Sequence, residues 1–396
     1  LSANEEGIAH LTAGLAMLRE LPEPGDNAQR LERAQQELAL QLALGIAWRA
    51  AKGYGAEAER AYTRARELCQ VTGDTAQHCQ VLGKLSILHL VRAEYQQARE
   101  FAEEALSLAQ KANDPLHIAL GHWYLGAVLF GLGEHLAARA DLKRMIDFYD
   151  PEQHRSLVLL RGSDPGLSAL AYDACCLWCL GYPEQALVQG QQTVALAREL
   201  GHPMSLIEAI YWAGCLLSWM RRDGQALRVS AEELIALADE KAPSWLGLGV
   251  TLLGEALILQ GQIGEGPEQL RRGVDAYRHI GSLRYLTRRL SSLAEAQARA
   301  GQPGEALATL AQALAAVEET GERLWEAEVY RLRSEVLLTE GAEDEAEADL
   351  HNAIDIARQQ SAKSWELRAT TSLARLWQAQ GRTGEVHQVL AEVYGW

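Results

Sequence analysis

Long apolar runs, phenylalanine, methionine and lysine are all scarce in this chain of 396 residues, which has 3 Phe, 4 Met and six lysines. No apolar run approaches the roughly 18 residues that a membrane-spanning helix requires, and no signal peptide is visible at the start. A phosphate-binding loop needs a glycine followed directly by a lysine, and a first glycine five positions before that glycine. Only Lys84 follows a glycine, and His78 stands where the first glycine should be. The sequence therefore predicts neither a membrane span nor a nucleotide site.

Cysteine and histidine are sparse, and their spacing gives little support for a metal site. Cys175, Cys176 and Cys179 fall on one predicted helix, and Cys215 follows Cys175 by forty residues. Such a cluster could bind a soft metal or sense oxidation, but free cysteine is also a common small core residue. The histidines, including His117 and His122, lack the spacing of a metal-binding helix. We expect buried thiols in a reducing, cytoplasmic compartment, with no metal and no cofactor.

Basic residues are outnumbered, with 37 Lys plus Arg against 53 Asp plus Glu and a net charge of −16. Neither half of the chain is a basic module. Nucleic acid is therefore not expected as a partner. An acidic balance favours basic or polar peptide surfaces, although it is also ordinary for a soluble protein.

What the chain does have is a repeat with a period of 40 residues, broken by one interval of 48. Glycine or a substitute marks it at Gly53, Ala93, Gly133, Gly181, Arg221, Gly261, Gly301, Gly341 and Gly381. Five positions later stand Ala58, Ala98, Ala138, Ala186, Ala226, Gly266, Ala306, Ala346 and, as an exception, Val386. Seven positions earlier stand Ile46, the exception, and Ser86, Gly126, Ala174, Gly214, Gly254, Ala294, Ser334 and Ala374. A period of this size predicts a stacked solenoid.

Each repeat unit is predicted to be a helical hairpin. Between Leu283 and Ala300 apolar residues recur at helical spacing, and a second such run extends from Gly304 to about Thr320. The marker glycine supplies a positive φ where the first helix ends. The small residues allow the two helices to cross closely. We predict an all-α, superhelical α-solenoid of about nine hairpins, forming one domain over residues 1–396.

This phasing of glycine and alanine resembles the tetratricopeptide repeat, lengthened from 34 to 40 residues. Three stretches also resemble the carboxyl-terminal arrays of bacterial proteins that join a class III adenylate or guanylate cyclase to an ATPase module. They are YDPEQH at Tyr149–His154 with GSDPG at Gly162–Gly166, LGYPEQAL at Leu180–Leu187, and the segment Thr320–Leu338. The resemblance implies a cytoplasmic regulatory array that controls attached domains. The catalytic residues of that family have no counterpart in this chain.

Two segments depart from the repeat. The long interval suggests an irregular insertion at residues 150–166, where Asp150 can cap a short extra helix that starts at Pro151 and stops at Gly162. Near the start of the chain, the pattern predicts the second helix of a partial hairpin, from Glu6 to Leu21. We therefore expect the chain to be a fragment of a longer protein.

The first helices of such arrays line a concave groove, a mapping that comes from the resemblance. It assigns to the groove the aromatic residues Trp123, Tyr124, Tyr172, Tyr211 and Trp212, the carboxylates Glu255, Glu295 and Glu335, and the arginines Arg288, Arg331, Arg368 and Arg375. Aromatic and arginine residues are frequent anchors of peptide recognition. Alternatively, the carboxylates pair with nearby arginines, and the aromatic residues fill gaps between helices. A second in-phase set falls at the start of the first helices, where packing between repeats is favoured over contact with a ligand. It consists of Trp245, Tyr285, Trp325 and Trp365.

Two function classes remain open. The first is a non-catalytic module that binds a peptide, a partner protein or other domains of its own polypeptide. The second is a small-ligand sensor, as in transcriptional activators with similar arrays, which an aromatic cavity near Trp123, Tyr172 and Trp212 would favour. An enzyme is less favoured than either.

Overall fold

In a computed structural model the described residues are 3–154, 157–158, 162–242, 245–264, 266–279 and 281–394. Over these ranges the regular secondary structure is helical. The helices are α1 (Ala3–Glu20), α2 (Asn27–Lys52), α3 (Ala56–Thr72), α4 (Thr75–Val91), α5 (Tyr95–Ala112), α6 (Pro115–Gly131), α7 (His135–Phe148), α8 (Pro165–Cys179), α9 (Pro183–Leu200), α10 (Pro203–Ala209, Ile210–Leu216 and Leu217–Met220), α11 (Gly224–Lys241), α12 (Leu246–Leu259), α13 (Gly266–His279), α14 (Leu286–Arg299), α15 (Pro303–Thr320), α16 (Glu326–Thr339), α17 (Glu343–Gln359), α18 (Lys363–Ala379) and α19 (Thr383–Tyr394). The all-α, tetratricopeptide-like fold is confirmed.

The marker residues lie between the two helices of each hairpin, as predicted. Positive φ values occur at Gly53 (77°), Gly133 (77°), Gly301 (76°) and Gly341 (78°). Ala93 adopts the same conformation with a φ of 62°, although a Cβ makes this region costly. The marker therefore ends one helix and reverses the chain into the next.

The small residues lie where the helices of a hairpin cross. In the α4–α5 hairpin the Ser86 hydroxyl donates a hydrogen bond to the carbonyl oxygen of Ala98 at 2.9 Å, and both residues are fully buried. Ala138, Ala186 and Ala306 are also fully buried. A larger side chain would have to separate the two backbones, which lowers packing quality and costs stability.

One hairpin is shifted by a residue from the register read in the sequence. At Arg221 φ is −77°, and the positive φ of 60° falls on Arg222. The extra residue is absorbed by the π-helical segment Ile210–Leu216 of α10, because a π turn contains one residue more than an α turn. Cys215 and Leu227, both fully buried, therefore occupy the positions assigned to Gly214 and Ala226.

The helices form two compact units. The first comprises Leu1–Val128 and Tyr277–Arg284. Its core includes Leu38, Tyr62 and Leu85. The backbone amides of Leu283 and Arg284 both donate to the carbonyl oxygen of Val91, each at 2.9 Å. A turn late in the chain thus caps the end of α4.

The second unit comprises Leu129–Ala276 and Tyr285–Trp396. It contains an analogous contact, because the amides of Arg323 and Leu324 donate to the carbonyl oxygen of Gly131 at 3.1 and 3.2 Å. In addition, the Ser364 hydroxyl donates to the carbonyl oxygen of Trp178 at 2.5 Å. The bond between Ser364 and Trp178 brings the start of α18 against the end of α8. First helices distant in the sequence therefore pack directly on one another inside this unit.

At the start of the predicted insertion, residues 151–154 form a turn. One carboxylate oxygen of Asp150 accepts hydrogen bonds from the amides of Glu152 and Gln153 at 2.9 and 3.1 Å. Residues 155, 156 and 159–161 of the expected short helix lie outside the described residues. Among the residues that the structure describes, no helix combines the length and apolar character needed to cross a membrane.

Candidate functional site

The second unit contains a buried cluster of charged side chains, which we call the ionic cluster: Arg222, Glu295, Glu328, Arg331 and Arg368. Arg222 extends from the turn after α10 and donates from Nη1 to Glu295 Oε2 of α14 at 2.6 Å. Arg299 Nη2 approaches the other oxygen of Glu295 at 2.7 Å. Burial alone would raise the pKa of Glu295, but hydrogen bonding and charge from Arg222 outweigh it and lower that pKa. Glu295 is therefore held as a carboxylate.

Glu328 of α16 is the centre of the ionic cluster, with a side chain that is 1% exposed. Arg331 donates to it from Nε at 2.7 Å and from Nη2 at 3.0 Å, and Arg368 Nη1 approaches at 3.2 Å. Burial raises the pKa of Glu328, but the positive charges of Arg331 and Arg368 more than compensate and lower it to about 2. A carboxylate with several guanidinium donors is strongly favoured in its ionised form.

Arg368 of α18 is the least compensated arginine of the ionic cluster. Its Nη2 donates to the carbonyl oxygen of Met220 at 2.5 Å. Its guanidinium lies 4.8 Å from the ring centre of Trp365 and 5.3 Å from that of Trp178. Burial, together with repulsion from Arg331 and Arg222, lowers the pKa of Arg368 despite the opposing charge of Glu328. This arginine could therefore accommodate a further negative charge.

A continuous series of aromatic rings lies beside the ionic cluster. Its members, with distances between successive ring centres, are Tyr172 to Trp212 at 4.3 Å, Trp212 to Tyr285 at 5.6 Å, Tyr285 to Trp325 at 5.8 Å, Trp325 to Trp365 at 6.1 Å and Trp365 to Trp178 at 4.7 Å. Most of these contacts are edge-on, which is a favourable arrangement for aromatic pairs. The predicted packing role of Tyr285, Trp325 and Trp365 between repeats is confirmed.

Most residues assigned to the groove are buried against other helices. In the second unit this holds for Tyr172, Tyr211, Trp212, Glu255, Arg288, Glu295 and Arg331, whereas Arg368 is partly exposed, and Glu335 and Arg375 are exposed. In the first unit Trp123 and Tyr124 are buried, with ring centres 5.0 Å apart. The expectation of an open groove at these positions therefore needs revision. The space that they would border is filled by side chains of neighbouring first helices.

All three assigned carboxylates are paired with arginines, which is the alternative that the sequence left open. Glu255 accepts from Arg288 Nη1 at 2.6 Å, and both side chains are essentially inaccessible. Glu335, which is half exposed, pairs with Arg331. A carboxylate that already has an arginine partner is less available to a basic ligand.

The cysteines of α8 and α10 are buried thiols. Burial raises the pKa of Cys175, Cys176, Cys179 and Cys215 well above the ordinary value. Because the thiolate is the reactive and metal-binding form, these residues are poorly suited to redox chemistry. Within the described residues no group of three or more His, Cys, Asp or Glu side chains could hold a metal ion.

Sequence reasoning missed Arg222 and Glu328. Glu328 lies outside the repeat positions that were assigned to the groove. Arg222 was hidden by the one-residue register shift, and its signal was the pair Arg221 and Arg222 where most other repeats have glycine. Trp178 was missed as well, because Trp365, whose ring it contacts, is distant in the sequence.

Comparisons with known proteins agree with the fold. The family model for anaphase-promoting complex subunit 5 matches residues 62–127, 138–219 and 332–380. An uncharacterized protein of Rhizobium meliloti (strain 1021) is 26% identical over 285 residues, which is 71% of this chain and 28% of that protein. The chain thus spans little more than a quarter of that relative.

Three solved structures have a similar fold, each at 14% identity. A Rap protein complexed with competence and sporulation factor has a TM-score of 0.55, with 98% of this chain and 94% of that chain covered. The Rap conjugation gene regulator of plasmid pLS20, in complex with the Phr* peptide, has a TM-score of 0.55 and coverages of 90% and 91%. The apo quorum sensor NprR of B. thuringiensis has a TM-score of 0.51 and coverages of 92% and 98%. At this identity the likeness concerns the fold alone.

Proposed function

We propose that this chain is a non-catalytic regulatory array that binds a peptide or a segment of a partner protein and so controls attached or associated signalling domains. The observation that carries the proposal is the composition of the interior of the second unit. In this interior, arginine, glutamate and tryptophan side chains of the first helices contact one another. A core with a purely structural role would have aliphatic side chains at these positions. Buried charges contribute little net stability, so stability alone does not account for this composition.

The structural neighbours make a peptide the favoured ligand class. Two of them were solved with competence and sporulation factor or with the Phr* peptide bound. Arginine and tryptophan are the residue types that most often anchor such ligands. The further step, that the controlled domains are a cyclase and an ATPase, rests only on the sequence resemblance at Tyr149–His154 with Gly162–Gly166, at Leu180–Leu187 and at Thr320–Leu338.

A small-ligand sensor is the weaker candidate. Tyr172 and Trp212, two of the residues that would border its aromatic cavity, have ring centres only 4.3 Å apart. That distance is direct ring contact and leaves no space between the two side chains for a ligand.

The test is selection of ligands from a random peptide library displayed on phage, with the purified chain as bait and isothermal titration of the enriched peptides. We expect a shared motif and saturable binding to one site with a Kd of about 1–10 μM, equivalent to roughly 7–8 kcal/mol. A variant of an exposed pair on α11, Arg228→Ala with Glu232→Ala, serves as the matched control and should bind equally well.

Two results would contradict the proposal. One is the absence of any enriched motif for a chain that is folded by circular dichroism. The other is turnover of a nucleoside triphosphate by the purified chain, because this would show a catalytic site.

A further inference from the structure

We propose that Arg222, Arg331 and Arg368 form a binding site for a carboxylate group of the ligand, and that Glu295 and Glu328 occupy this site when no ligand is present. The inference rests on the proposed function and adds to it the chemistry of the ligand and a means of self-masking. The chain's own carboxylates pair with these arginines when no ligand is present, so an incoming carboxylate competes with them for the same guanidinium groups while they stay within the ionic cluster.

Charge balance supports the assignment. The ionic cluster contains three arginines and two glutamates, an excess of one positive charge. At its edge Arg299 and the half-exposed Glu335 cancel each other. Guanidinium groups bind carboxylates through paired hydrogen bonds. A single added carboxylate would therefore neutralise the ionic cluster.

The contacts of Arg368 indicate that the ligand carboxylate reaches the ionic cluster at this residue. Its side chain is 20% exposed and that of Arg222 is 24% exposed, whereas that of Arg331 is 6% exposed. One Nη of Arg368 donates to a backbone carbonyl, that of Met220. A neutral carbonyl is a weaker partner for a guanidinium than a carboxylate. An incoming carboxylate can therefore compete for this nitrogen.

The backbone around Arg222 supports a functional role independently of the charges. Arg222 has a φ of 60°, a conformation for which most other repeats have glycine at the equivalent position. The π-helical segment Ile210–Leu216 lies in α10, which ends two residues before Arg222. Strained residues and π segments persist where other interactions hold them, and they cluster at functional sites. Two irregularities of the repeat thus coincide at one arginine of the ionic cluster.

The aromatic rings define what should lie next to the carboxylate. Trp178 and Trp365 flank the guanidinium of Arg368 within 5.3 and 4.8 Å. A ligand that reaches Arg368 must therefore present an apolar or aromatic surface to these indoles. We infer a peptide in which a carboxylate, from a side chain or from the carboxyl terminus, is adjacent to an apolar residue.

The experiment uses a small probe and its neutral analogue, 3-phenylpropionate and 3-phenylpropanamide, which have nearly the same shape and differ in charge. Binding to the full chain is followed by tryptophan emission and by isothermal titration. We expect 3-phenylpropionate to bind at least about tenfold more tightly than the amide, a difference of roughly 1.4 kcal/mol. Glu328→Gln should strengthen binding of the carboxylate about tenfold, because it removes the competing group. Arg368→Gln should abolish the preference for the carboxylate.

Arg382→Gln is the matched control. Arg382 also lies over a tryptophan, at 4.5 Å from the ring centre of Trp377, and pairs with Glu347 and Glu385, but it lies directly before α19 and outside the ionic cluster. This substitution should leave probe binding unchanged. If Glu328→Gln does not fold, Glu335→Gln replaces it, because Glu335 is half exposed and pairs with the same Arg331. It too should strengthen carboxylate binding.

Equal binding of the two probes, or a carboxylate preference that survives Arg368→Gln, would overturn the inference. Such a result would leave the proposed function intact if the phage selection still yields a motif. Conversely, a selection that yields no motif, together with a carboxylate preference lost in Arg368→Gln, would support an anion site and contradict peptide binding.

Discussion

Arg222 and Glu295 are 73 residues apart in the sequence, yet Arg222 Nη1 lies 2.6 Å from Glu295 Oε2. The pair joins the turn after α10 to helix α14 and is largely shielded from water. Burying the two charges is costly, and their attraction offsets this cost only while both are present. Loss of either Arg222 or Glu295 alone is therefore more damaging to the second unit than loss of both.

The first prediction concerns this pair. Glu295→Ala should lower the free energy of unfolding by about 3 kcal/mol, because it leaves the Arg222 guanidinium buried without its partner. The double variant Arg222→Met with Glu295→Met should recover most of this loss. Urea denaturation measures both. The control is Glu232→Ala in the exposed Arg228–Glu232 pair, with a loss below about 0.5 kcal/mol. Equal losses for Glu295→Ala and the control would refute a structural role for the pair.

The second prediction is a dependence of stability on pH that arises from His135. This side chain is completely buried, and burial lowers its pKa to about 4. The unfolded chain binds this proton more readily, because its histidine pKa is about 6.5. The contribution of His135 to the free energy of unfolding is therefore fully present above about pH 6.5 and is lost as the pH falls toward 4. The expected total loss is about 3 kcal/mol.

The control for His135 is the exposed His387. His135→Phe should remove most of the loss between pH 6.5 and 4, whereas His387→Phe should not change it. The lowered pKa values of Glu295 and Glu328 act at more acidic pH. Thermal melts across this range measure the effect, and identical pH profiles for wild type and His135→Phe would contradict it.

The third prediction concerns Gly83 on α4, in the first unit. A Cβ at this position would lie 2.3 Å from the ring of Tyr124. Gly83→Ala should therefore cost about 2 kcal/mol through overpacking. Gly247→Ala on α12 is the matched control, since a Cβ there meets nothing within 4 Å, and it should be neutral or stabilising by up to about 1 kcal/mol. Chemical denaturation that ranks these two variants in the opposite order would disprove the close contact.

The fourth prediction concerns Ser361, which has a φ of 54° in the turn between α17 and α18. Gly201 and Gly321 adopt the same conformation at equivalent turns, with φ values of 68° and 75°. Ser361→Gly should raise the free energy of unfolding by about 0.5–1 kcal/mol, because glycine has no Cβ strain in this region. The reciprocal change, Gly321→Ser, should lower it by a similar amount. Differential scanning calorimetry measures both, and stabilisation by Gly321→Ser would refute the argument.

Much of the fold was predictable because the repeat is a local pattern. The spacing of Gly301 and Ala306, for example, specifies a turn and a helix crossing within one hairpin, and both occur as expected. The α10 register was not predictable in this way. Neither Arg221 nor Arg222 is glycine, so the sequence does not show which of the two residues adopts the positive φ.

The candidate site was predictable in residue type and only partly in environment. Tryptophan, arginine and glutamate do face inward from the first helices, but they meet one another instead of lining an open surface. Arg368 reaches the carbonyl of Met220, 148 residues earlier in the sequence. This contact depends on the small rotations between successive hairpins, and these rotations cannot be read from the sequence of any single repeat.

By itself, the sequence determined the helical hairpin, its period and the small residues at the crossings, because these follow from interactions within about 40 residues. The tertiary structure alone decided which charges pair and which rings touch. Side chains hundreds of atoms apart along the chain meet only after the hairpins have stacked. Their partners are set by the accumulated geometry of that stacking, and the residue types alone do not specify them.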